Sequence, residues 1–173
     1  NLKGMCSVVV NDGKLYIGQG GSTAFSDVWE YDGTSWSQIG GDGLNSSWNE
    51  GEQAVSAMVS WNENLYVGLG YLEASDFADV WVYNGSSWTQ IGGDTLNSSW
   101  DSADYGSVES LAVYNDKLYA GFSQVLSNAD IWEYNGSSWT QVGGDDINSS
   151  WSVGGSSYYE ILDLTVYNDL LFA

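Results

Sequence analysis

The chain has 173 residues, enough for one core of ordinary domain size. Its 23 acidic against 3 basic side chains give a formal net charge of −20, which would repel nucleic acid and anionic lipid, attract cations and keep the protein in solution. A lone cysteine, Cys6, excludes an intrachain disulfide, and no stretch approaches the roughly 20 apolar residues of a membrane helix.

Taken from the N-terminus, each repeat reads as four short strands separated by turn residues; in the first, the marker Leu15-Tyr16 is followed by a variable loop and then by Asp27 to Trp36, which holds the turn Asp32-Gly33. The sequence then repeats itself. Val28 to Trp48 reads VWEYDGTSWSQIGGDGLNSSW, Val80 to Trp100 reads VWVYNGSSWTQIGGDTLNSSW, and Ile131 to Trp151 reads IWEYNGSSWTQVGGDDINSSW. Trp29 to Trp81 spans 52 positions and Trp81 to Trp132 spans 51. A second marker keeps the same rhythm at Leu15-Tyr16, Leu65-Tyr66, Leu118-Tyr119 and Leu171-Phe172. A fixed period of this length marks tandem supersecondary units. One array therefore covers 1–173, with full repeats at about 5–54, 55–107 and 108–160 and a partial one at 161–173.

The third repeat predicts its strands most plainly. Ser110 to Tyr114 and Lys117 to Phe122 flank Asn115-Asp116, a pair suited to a two-residue hairpin turn with positive φ. Asp130 to Tyr134 and Trp139 to Val142 flank the turn signal Asn135-Gly136. By the period-two rule Trp132 and Tyr134 share one face, and Ile131 and Glu133 share the other. Bulk on both faces predicts a sheet sandwiched between neighbouring sheets. With 22 Gly and many Asn, Ser, Val and Tyr, helix is disfavoured, and without proline the turns fall to Gly, Asn and Asp.

Four-stranded repeats of about 52 residues with a Gly/aromatic rhythm predict an all-β fold, a β-propeller of four-stranded antiparallel blades. The segments Leu15 to Gly21 (LYIGQGG) and Asp27 to Trp36 (DVWEYDGTSW) resemble a kelch repeat, with its glycine doublet, later tyrosine and later tryptophan. The resemblance implies a propeller blade. About 3.3 blades fall short of the 4 to 8 in a closed ring. Remaining blades of a longer chain, or an oligomeric partner, are therefore expected to complete it.

Absence of histidine removes the usual general base, the Ser-His-Asp triad and every His-bearing zinc or copper site. Neither the serines nor Cys6 then has a base partner, and no catalytic residues are assigned. Paired carboxylates are the one catalytic apparatus left, so a propeller glycoside hydrolase is the enzyme alternative. An inert repeat scaffold is the other alternative. Among these readings a non-enzymatic binding or structural module fits best.

Binding has two candidate elements. The loops between strands two and three, Gln19 to Ser26, Leu69 to Ala78 and Ser123 to Ala129, differ from repeat to repeat, as recognition loops do. The loop between repeats is instead almost constant. It sets out Asp42, Asn45 and Trp48, then Asp94, Asn97 and Trp100, then Asp145, Asn148 and Trp151. An indole beside Asp and Asn would suit a sugar, whose C–H face stacks on the ring while its hydroxyls meet oxygens and amides. One such site per repeat would make a multivalent lectin-like binder of carbohydrate, with protein as the other expected ligand. The same tryptophans would serve equally to plug the junction between repeats. No resident cofactor or metal is expected; calcium is the ion that Asp42, Asp94 and Asp145 would suit, although no EF-hand-like spacing is present. Asn45, Asn84, Asn97, Asn135 and Asn148 each begin an N-x-S sequon. Sequons, acidity and the lack of metal-thiol or nucleotide motifs together point to an extracellular or cell-surface setting.

Overall fold

Each repeat folds as one antiparallel meander, because alternating apolar and aromatic runs are cut by turns that demand positive φ. A computed structural model of the chain describes residues 4–20, 26–49, 54–70, 78–101, 104–123, 129–144, 146–151 and 160–173. The first sheet contains β1 (Gly4–Asn11), β2 (Lys14–Gly20), β3 (Val28–Tyr31) and β4 (Trp36–Gly40), in that spatial order. The second contains β5 (Val55–Trp61), β6 (Asn64–Leu69), β7 (Val80–Tyr83) and β8 (Trp88–Gly92). The third contains β9 (Ser107–Tyr114), β10 (Lys117–Ser123), β11 (Ile131–Tyr134) and β12 (Trp139–Gly143). A last sheet has two strands, β13 (Thr165–Tyr167) and β14 (Leu170–Phe172). Helical backbone among the described residues is confined to single 3₁₀ turns, and no helix is long and apolar enough to cross a membrane.

The hairpin turns are where the sequence placed them. Asn115 and Asp116 have φ of 49° and 57°, and Asn62-Glu63 and Asn168-Asp169 repeat the pair. The second turn of each repeat is longer than a two-residue loop. Tyr134 pairs with Trp139, so four residues bridge the strands, and only Gly136 among them has positive φ. The side chain of Asn135 supplies the remaining order: its Oδ1 accepts the backbone N–H of Ser137 and Ser138, both at 3.0 Å. Asn84 and Asp32 do the same in their copies.

Successive sheets lie side by side, β1 beside β5 and β5 beside β9. The seam between them is built from two small residues per repeat. Ser7, Ser56 and Ser110 each donate a hydroxyl to a backbone carbonyl of the next sheet, Val55 at 2.7 Å, Val108 at 2.6 Å and Ile161 at 2.9 Å. Gly18, Gly68 and Gly121, paired across the sheet with Ser7, Ala57 and Ser110, leave room for those same Val and Ile side chains. A Cβ on Gly68 would sit 2.6 Å from Val108 Cγ1.

Between the sheets the core is aromatic. Trp132 and Tyr134 pack with Trp100, Phe122 and Trp139 toward the second sheet, while Ile131 packs with Ile161 and Leu164 toward the last one. Both faces of β11 are thus covered, as the face pattern predicted. On the first sheet one face has no cover among the described residues. Met5, Val8, Val10 and Trp36 are exposed there, whereas Val55 and Val108, which match Met5, and Trp88 and Trp139, which match Trp36, are buried.

Candidate functional site

The near-constant loop between repeats begins with a reversal that only glycine accommodates. Gly41, Gly93 and Gly144 have φ of 97°, 99° and 94°. A side chain on any of them would run into the carboxylate of Asp27, Asp79 or Asp130. The loop then closes on itself. Ser47, Ser99 and Ser150 each accept the N–H of that glycine, at 3.0, 3.0 and 2.8 Å. Asn45, Asn97 and Asn148, with φ near 55°, each donate the side-chain N–H to a strand-four carbonyl (Ile39, Ile91 and Val142) at 3.0 Å.

Of the residues picked out for ligand contact, the tryptophans face inward. Trp48 and Trp100 are each only 3% exposed, and Trp151 is half-buried. Trp88 and Trp81 meet Trp48 edge-on at 5.1 and 5.7 Å, and Trp139 and Trp132 meet Trp100 the same way at 5.0 and 5.6 Å. No sugar face stacks on an indole so enclosed. Each ring also has a polar duty at its other end. Trp48, Trp100 and Trp151 donate the indole N–H to the carbonyls of Ser26 (2.8 Å), Ala78 (2.6 Å) and Ala129 (2.7 Å). Those carbonyls stand at the exits of the three variable loops. The constant loop therefore anchors the variable one. Residues 21–25, 71–77 and 124–128, which carry most of that variation, lie outside the described residues, as does Asp145.

Asp42 and Asp94 are exposed on the loop surface, one per junction. Among the described residues no three Cys, Asp or Glu side chains gather as an ion would require. The sequons divide into two kinds. Asn84 and Asn135 sit at exposed turn tips, whereas Asn45, Asn97 and Asn148, also exposed, each give one amide N–H to a strand-four carbonyl.

The sequence reading overlooked the carboxylates that open strand three. Asp27, Asp79 and Asp130 are buried, one per repeat, at the start of a D-[VI]-W triplet. That recurrence was visible in the sequence, but an acidic residue beside a loop reads as solvated. Asp27 accepts from Gln38 Nε2 at 3.0 Å, and Asp130 accepts the hydroxyl of Tyr105 at 2.5 Å. Burial, and after it the charge of Asp94, pushes the Asp79 carboxyl up to about 7, although Gln90 and Trp81 beside it favour the anion.

At the opposite end of the sheets a polar cleft of about 290 Å³ lies between the first two repeats. Inside it Glu30 pairs with Lys14 at 2.8 Å and accepts the Tyr16 hydroxyl at 2.9 Å. Lys117, Glu133 and Tyr119 rebuild the arrangement in the third sheet. Burial first, and the Glu hydrogen bond second, raise both tyrosine hydroxyls. Cys6 is also raised, by partial burial and then by the charge of Glu109, which makes it a poor nucleophile at neutral pH.

No protein-family model and no curated protein matches the chain.

Proposed function

We propose that the chain is a non-enzymatic binding module, part of a kelch-like β-propeller at an extracellular or cell-surface location, whose loops between strands two and three recognise carbohydrate or protein. The observation that carries the reading is the repeated bond from the constant-loop indole to the exit of the variable loop, at Ser26, Ala78 and Ala129. A rigid scaffold that clamps one end of each diverse loop is how binding surfaces are varied without cost to the core. The division of labour also revises the role of Trp48, Trp100 and Trp151. They support the surface and do not touch its ligand. Ring closure is completed by further copies of the repeat. The carboxylate-pair hydrolase remains the weaker reading: Asp79 is buried with Gln90 and Trp81 beside it, and the polar cleft between the first two repeats does not include it.

A glycan array and a protein-capture screen test the proposal, each followed by exchange of residues 71–77 for a Gly/Ser/Asn loop. Binding should disappear with the exchanged loop while the melting temperature holds. Trp100→Phe should lower stability and leave the ligand preference unchanged. A ligand that survives the exchange of all three loops, or that is lost with Asp42→Asn or Asp94→Asn, overturns the assignment. Failure to find any ligand on either screen leaves the scaffold reading in its place.

A further inference from the structure

The polar cleft between the first two repeats is left open by one side chain. The residue that closes strand one, just before its hairpin turn, is Asn11 in β1, Trp61 in β5 and Tyr114 in β9, each opposite the residue that opens strand two. At the later junctions an aromatic ring spans the seam. Trp61 packs on Tyr66 at 5.5 Å and donates its indole N–H to Asp116, in the turn of the next sheet, at 3.2 Å. Tyr114 packs on Tyr119 at 6.2 Å and donates its hydroxyl to the Asp169 carbonyl at 2.9 Å. Asn11 crosses its seam as well, donating to the Glu63 carbonyl at 3.2 Å and accepting the Ser60 hydroxyl at 2.7 Å, but it has no ring to fill the space. About 290 Å³ is left between the sheets.

The groups around that space are those of a small-molecule site. Glu30 is half-buried there, with one oxygen on Lys14 and the other on Tyr16, so each oxygen has room for a further donor. The second sheet has Val82 at the matching position, opposite Tyr66 as Glu30 is opposite Tyr16. Tyr83 lines the cleft from the second sheet and is only 7% exposed. Its hydroxyl feels the charges of both Glu30 and Lys14, and among the described residues it makes no hydrogen bond. Asp12 and Glu63, both exposed, stand at the rim on neighbouring hairpin turns. Three carboxylates against one ammonium favour a cation, yet they do not gather as a metal ion requires. We propose that this cleft binds a small hydroxylated organic cation, of which a free amino sugar is the simplest kind. Its ammonium meets Glu30 and the rim carboxylates, and its hydroxyls meet Tyr83 and the side-chain amides of Asn64 and Asn84. A neutral sugar leaves the excess of carboxylate uncompensated, and an alkylamine leaves the hydroxyl and amides unpaired. The volume lies at the lower end of the roughly 300 to 1,000 Å³ of ligand pockets, which suits one ring. The site is separate from the loops between strands two and three, which leave the sheets at the other end.

The test is an NMR titration of the whole chain with glucosamine at pH 6.5, on the order of two units above the ordinary carboxylate range. Saturable shifts are expected at the amides of Asn64, Asn84 and Gly85, with a Kd of about 0.1 to 10 mM for so small a ligand. Glucose and N-acetylglucosamine, which lack the charge, should bind at least about tenfold more weakly. Asn11→Trp rebuilds the plug of the second junction without changing net charge, so it should abolish saturation while leaving the diffuse attraction of an acidic surface for any cation as it was. Its melting temperature shows whether it folds. Should it not, Glu30→Gln, which keeps the side-chain shape, should weaken glucosamine at least about tenfold. Exchange of residues 71–77 should leave glucosamine binding as it was. No saturation by about 100 mM, glucose binding as well as glucosamine, full binding by folded Asn11→Trp or by Glu30→Gln, or binding lost with the 71–77 exchange would each overturn the proposal.

Discussion

Asp79→Asn removes a buried charge while keeping the shape of the side chain, and its effect on stability depends on pH in a direction the structure fixes. In the unfolded chain the carboxyl titrates near its ordinary 3.8, and in the fold it titrates at about 7. Below pH 4 both states hold the proton and the group is neutral in each. As the pH rises from about 4 to about 7, unfolding releases a proton, so wild-type stability falls across that window and levels off above it. A shift of about three units corresponds to a ceiling of about 4 kcal/mol, from which local relaxation around Gln90 and Gly93 subtracts. Asparagine has no such titration. Urea unfolding followed by tryptophan fluorescence at pH 4, 5.5, 7 and 8.5 should therefore show the variant gaining on the wild type with rising pH, by roughly 2 to 4 kcal/mol in total. Asp94→Asn, which deletes the neighbouring charge, should shift the wild-type transition to lower pH. A difference between Asp79→Asn and wild type that is flat from pH 4 to 8.5 would refute the claim that the fold buries this carboxyl at the expense of its charge.

Three further outcomes follow from the repeats. Thr95 is a β-branched residue at φ of 62°, where the first repeat has Gly43, so Thr95→Gly should raise stability by about 0.5 to 1 kcal/mol in the same urea assay. Ser56→Ala deletes the hydroxyl that joins the second and third sheets at Val108 and should cost about 1 kcal/mol, with the loss also visible as faster amide exchange along β9. Expressed through a glycosylating secretory pathway, the chain should carry more glycan at Asn84 and Asn135 than at Asn45, Asn97 or Asn148, as read by peptide mass spectrometry, because each of the latter three already spends one amide hydrogen on Ile39, Ile91 or Val142 and is held against the loop by it.

The strand meander was legible from residues because each of its signals is local. Asn115-Asp116 demands a tight turn, and Trp132 and Tyr134 alternate with Ile131 and Glu133 across the pleat. Side-by-side stacking was legible too, since a four-residue strand with bulk on both faces has to be covered twice. The role of the constant loop was not. Trp48 and Asn45 offer the same chemistry to a sugar or to a neighbouring sheet, and only the position of the next repeat decides, through Trp81 and Trp88. Asp27, Asp79 and Asp130 were hidden for a related reason. Their burial depends on Gly41, Gly93 and Gly144, some 14 positions later, folding back over them.

The seam of Ser7, Ser56 and Ser110 ties every sheet to the one after it and to no other, so cohesion runs along the array like links of a chain. Opening at one seam should accordingly leave the hydrogen bonds of the other seams in place. A loss at one junction, such as the hydroxyl of Ser56, should be felt first by the two sheets that share it and only weakly by the rest.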